Sequence, residues 1–105
     1  MIKKAGNIKM IFVIDKLKYD TDKMRLISEK CIYKYYWTLS LTGQEFSSFG
    51  KDVKLWLSSK GNWLLTYRTD YSTRAVKFSV EQAKEILMKY DLEKYELLFG
   101  ELEEA

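Results

Sequence analysis

A chain of 105 residues, 47% hydrophobic and 15% aromatic, has room for one core and the apolar surface to build it, which excludes two independent domains and disorder throughout. One cysteine and no histidine exclude a disulfide-stapled scaffold, the usual zinc and haem sites, and Ser-His-Asp or Cys-His catalysis. The net charge of +3 is uneven: six acids against Lys94 give −5 from Asp91 onward and leave +8 on the preceding 90 residues.

A basic body with an acidic tail suits a polyanion-binding surface, a tail folded back over it, or a plainly solvated exterior, the commonest of the three. The single thiol, Cys31, favours a reducing cytoplasm. Met10 offers a second start, which would leave residues 1–9 as a flexible extension. The apolar run at 10–14 is too short to span a bilayer, and Asp15-Lys16 ends it with no cleavage site behind.

Proline is absent, so glycines and Asn/Asp/Ser clusters must supply the breaks. Residues 9–15, β-branched and aromatic, read as a strand. Asp20-Thr21-Asp22 then gives either a capped helical turn or the opening of a second strand. Residues 33–42 alternate as a strand does, with Trp37, Leu39 and Leu41 on one face and Tyr36, Thr38, Ser40 and Thr42 on the other. Gly43-Gln44 reads as a turn, and 45–52 as a loop holding Phe46 and Phe49.

The clearest hairpin is 53–69, where Leu55-Trp56-Leu57 and Trp63-Leu64-Leu65 flank a loop in which Gly61 can take a positive φ. Residues 69–74 are polar loop and 75–78 a short strand. Ser79 and Gln82 then form a capping box, with Phe78 and Ala83 placed as a hydrophobic staple. Val80, Ala83, Leu87 and Tyr90 make an apolar stripe at helical spacing. Asp91 is placed to cap a second helix over 92–99, ended by Gly100. The expected architecture is a single α+β domain: a small antiparallel sheet followed by two C-terminal helices packed on it.

Three stretches taken in order resemble a family of small uncharacterised proteins from Gram-positive mobile elements, namely conjugative transposons, plasmids and prophages. They are Leu17-Lys18-Tyr19-Asp20-Thr21, the hairpin of Leu55-Trp56 with Gly61 and Trp63-Leu64, and residues 75–104 with their Phe99-Gly100-Glu101-Leu102-Glu103-Glu104 ending. Departures fall at Lys16, Met24 and Lys77, where that family often has Gly, Ala and Pro. No activity is assigned to it. The resemblance implies a setting: such proteins commonly modify or block host machinery, CRISPR nucleases included.

The candidate sites divide by chemistry. Asp20 and Asp22 offer oxygens for a cation, but the further ligands and glycine of a calcium loop do not follow, so turn or capping roles are expected. Glu81, Glu85, Lys84 and Lys89 read as a solvated helix face. The acidic ending, Glu101 to Glu104, fits a frayed terminus or a mimic of nucleic-acid phosphates. Among the aromatics, Trp37, Trp56 and Trp63 are expected in the core. Tyr36, Tyr71 and Tyr67 are expected at the surface beside Arg68, Arg74 and Lys54.

Exposed tyrosine next to arginine is the composition of a protein-binding hot spot, and it also suits stacking of single-stranded bases. The leading expectation is a non-enzymatic inhibitor that binds a host defence protein stoichiometrically, with a CRISPR nuclease as named candidate. Its contact set would be Tyr36, Lys54, Tyr67, Arg68, Tyr71 and Arg74. It would need no cofactor, metal or membrane. The alternative is a small nucleic-acid-binding accessory or regulator.

Overall fold

The structure is a computed structural model and describes residues 10–105, so the expectation for residues 1–9 lies outside the described residues. In chain order the elements are β1 (Ile11–Ile14), β2 (Leu17–Asp20), a 3-10 turn (Thr21–Lys23), β3 (Arg25–Ser28), β4 (Lys34–Thr38), β5 (Glu45–Phe49), β6 (Lys51–Leu57), β7 (Trp63–Arg68), β8 (Thr73–Phe78), α1 (Val80–Tyr90) and α2 (Leu92–Phe99). Strands come first and helices last, the α+β order expected. Among the described residues the strands divide among three antiparallel sheets: β1-β2, β3-β6-β7-β8 and β4-β5.

The four-stranded sheet holds the core. Its central pair, β6 and β7, matches Leu55 to Leu65 and Leu57 to Trp63, so these side chains share one face. That face, with Val53, Tyr67, Ile27 and Phe78, packs against Ala83 and Leu87 of α1. Ile86 flanks them, and Tyr95, Leu98 and Phe99 of α2 close the rim. The helical stripe is narrower than the sequence suggests. Val80 is exposed and Tyr90 half-buried, and the buried residues of α1 are Ala83 and Leu87. On the opposite face Leu64 and Thr66 are also buried, and the Trp56 indole N–H donates to Thr66 Oγ1 at 2.9 Å.

The helix start forms as its capping box dictates. Ser79 Oγ accepts from the Gln82 N–H, and the Gln82 side chain accepts from the Ser79 N–H at 2.8 Å. The junction between the helices departs from expectation. Asp91 makes no side-chain cap on α2; its carboxylate turns inward and accepts from Ser28 Oγ at 2.6 Å, buried. A buried carboxylate needs a donor more than a helix end needs a cap, since backbone N–H groups at a terminus can be solvated. Cys31 joins the cluster, its thiol 3.7 Å from Ser28 Oγ.

One segment reads differently from the sequence. Residues 45–49, expected as loop, form β5 and pair with β4 from Lys34↔Phe49 to Thr38↔Glu45. Serines at 47 and 48 disguised a strand whose Phe46 and Phe49 point to opposite faces. Of the two readings open at Asp20-Thr21-Asp22 the capped helical turn forms, with Asp20 accepting from the Asp22 N–H, and it is set between strands β2 and β3. β1 and β2 meet through Asp15 and Lys16, both at positive φ (52° and 67°), the geometry of a tight two-residue hairpin.

The radius of gyration is 15.5 Å, against about 13 Å for a compact chain near 100 residues.

Candidate functional site

The β4-β5 hairpin is an arm with a buried root and an exposed shaft. At the root, Tyr33 and Tyr35 lie against Tyr67, with ring centroids 5.0 and 5.1 Å away, and Tyr33 also meets Phe78. Gly50 permits this closeness: a Cβ there would sit 2.8 Å from Tyr67 Cβ. Beyond the root, Trp37 stacks on Phe46 at 4.6 Å, and its indole N–H donates to Ser48 Oγ. Trp37 remains 43% exposed, because the body ends before the alternation does.

The other face of the arm carries Lys34, Tyr36 and Thr38 beside Phe49, Ser47 and Glu45. Tyr36 is 67% and Phe49 62% exposed, and Lys34 Nζ lies over the Phe49 ring at 5.5 Å. Where this face meets the body, an open groove of about 540 Å³ is lined by Phe49, Ile32, Lys54, Asp52 and Glu29, with Cys31, Gly50 and Val53. Asp52, at φ 49°, sits where β6 shifts register, and its carboxylate accepts from Arg68 Nε at 2.8 Å. Lys51 and Asp70 make a similar exposed pair that holds the Asp70 carboxyl below its ordinary value, chiefly through the lysine's hydrogen bond and charge.

The six residues expected to make contact therefore separate. Tyr36 belongs to the exposed aromatic face. Lys54 lines the groove and Arg68 reaches it through Asp52. Tyr71, 97% exposed, and Arg74 lie at and after the β7–β8 turn, outside the residues that line the groove. Tyr67 is a correction: it is 6% exposed, filling the root of the arm. Trp37 is the converse correction, and of the three tryptophans expected inside, Trp63 alone is fully buried while Trp56 is half-buried. Phe49 and Ile32 were missed. For Phe49 the signal was the alternation through 45–49, masked by its serines, whereas Ile32 lies outside any strand and had no such signal.

Burial pushes the Tyr67 phenol above the usual tyrosine range; neighbouring Tyr33 adds to the rise and Arg74 opposes it. Tyr33 is raised by burial as well. The Cys31 thiol is pushed up by burial, with the Ser28 hydrogen bond opposing and the Asp91 charge adding. A raised thiol is a poor nucleophile at neutral pH.

Among the described residues no group of three or more His, Cys, Asp or Glu is placed to hold a metal ion, and no helix is long and apolar enough to cross a membrane. Asp20 is buried at the cap of the 3-10 turn, and Glu81 and Glu85 are exposed on α1. Comparison with known proteins returns no matching family model, curated protein or solved structure.

Proposed function

We propose that this chain is a binding protein that covers part of another protein's surface with the aromatic face of its arm and the groove at the arm's base. One observation carries the reading: Tyr36 and Phe49 stand exposed on one face, with Lys34 across the Phe49 ring. Rigid aromatics beside a cation give large contact area for little lost side-chain freedom, which is the composition of interface hot spots. Two such rings on a two-stranded arm gain little from being solvated.

The resemblance to mobile-element proteins supplies the setting. In that setting the partner is a host defence protein, a CRISPR nuclease being the named candidate, and the action is stoichiometric inhibition in the cytoplasm.

The test compares the wild-type protein with a Tyr36→Ala/Phe49→Ala variant, both immobilised and exposed to nuclease-treated host lysate. A host protein retained in equimolar amount by the wild type and released by the variant, at unchanged unfolding midpoint, is the expected result. A partner that disappears on nuclease digestion, with affinity falling steeply and linearly on a log–log salt plot, overturns the reading in favour of nucleic-acid binding.

A further inference from the structure

At the far end of β6 from the arm, a second cleft of about 430 Å³ opens between the β2 strand and the β6–β7 loop. Lys18, Lys23 and Lys60 line it together with Ser58, Ser59, Asn62 and Tyr19. None of the three lysines belongs to an ion pair among the described residues. Among the described residues of the lining Asp20 supplies the one carboxylate, against which the three lysines leave an excess of two positive charges. It shares Lys23, Met24, Ser58 and Ser59 with an adjoining groove of about 530 Å³, where Arg25 and Asp22 add equal and opposite charge.

Tyr19 supplies an independent sign. It is 3% exposed, and its hydroxyl is buried with no hydrogen-bond partner among the described residues. Proteins seldom leave a buried hydroxyl unsatisfied, because it has given up water for nothing. Tyr19 belongs to the lining of this lysine-rich cleft, and its hydroxyl keeps a donor that no protein acceptor uses among the described residues.

We propose that this cleft binds the phosphate group of a small phosphorylated molecule, with Lys18, Lys23 and Lys60 neutralising the charge and Tyr19 donating its hydroxyl. A phosphate dianion matches the excess of two charges, and its oxygens can use more donors than a carboxylate offers. The adjoining groove has space for the rest of the molecule. The site stands apart from the arm and does not rest on the function proposed for it.

Calorimetric titration with sodium pyrophosphate and with ATP, at low ionic strength, tests the proposal. Saturable binding of both is expected, weakened about tenfold by each of Lys18→Ala and Lys60→Ala. Binding of pyrophosphate without ATP also supports it and identifies an inorganic source. Tyr19→Phe gives the sharper reading: the ligand-free midpoint of thermal unfolding should rise, because an orphaned hydroxyl is gone, while the pyrophosphate-induced rise should shrink. No saturation by pyrophosphate at millimolar concentration overturns the proposal. So does binding confined to single-stranded DNA, and so does an affinity that neither lysine substitution changes.

Discussion

Two hairpins of this chain are built from nearly the same residues and end in opposite environments. β6-β7 carries Leu55, Trp63, Leu65 and Tyr67 inward, all buried, because a helical layer lies over that face. β4-β5 carries Tyr35, Trp37 and Phe46 on one face with the same alternation, yet Tyr35 alone of the three joins the rim of the core. Alternation reports that a strand has two faces; it does not report what covers them. The difference lies in the third dimension, in how far the helices reach.

That comparison can be broken most forcefully at its two extremes. Leu65→Ala removes a fully buried side chain from a central strand and should cost about 2–5 kcal/mol in urea unfolding. Trp37→Ala, on the half-exposed shaft, should cost clearly less despite removing a larger group. Equal costs would mean that the arm belongs to the core.

Gly50→Ala tests the joint between the two regions. The added methyl meets Tyr67 at its Cβ, and such overpacking should destabilise by about 1–3 kcal/mol. An unchanged midpoint would show that the arm is free to swing off its root.

Alkaline pH probes the same joint. Tyr33, Tyr67 and Cys31 all have pKa values raised in the folded state, so each binds its proton more tightly folded than unfolded. Their contribution is full below the unfolded values, about 8.5 for cysteine and about 10 for tyrosine, and is lost as pH rises through the folded ones. Unfolding midpoints should therefore fall progressively above pH about 8.5. A Tyr33→Phe variant should show a shallower decline in the upper part of that range.

The smallest effect belongs to the third hairpin. Lys16 holds a positive φ that costs a side-chain-bearing residue energy and a glycine almost none. Lys16→Gly should stabilise by about 0.5 kcal/mol, read as a small rise in thermal midpoint.

What the sequence reveals here follows the range of the interaction. Ser79 and Gln82 lie three residues apart and satisfy one another, so the start of α1 could be read directly, and its end followed. The β6-β7 hairpin was legible because Gly61 and the two apolar arms are local signals. β5 was not, since its partner contacts are contributed by β4 and two of its five residues are serine. The candidate site divided the same way. Tyr36 was placed correctly because an alternate strand position is enough, whereas the burial of Tyr67 required Tyr33, Tyr35 and Gly50 to arrive from elsewhere in the chain.

The hydrogen bond from Ser28 to Asp91 bridges 63 positions of the chain and has a kinetic consequence. A contact of such long sequence separation closes late on the route to the native state, after the nearer hairpins have zipped. Ser28→Ala should then leave the refolding limb of a chevron plot nearly untouched and steepen the rate of escape from the native basin. The small cluster at the helix junction would thus govern how long the molecule lasts rather than how quickly it forms.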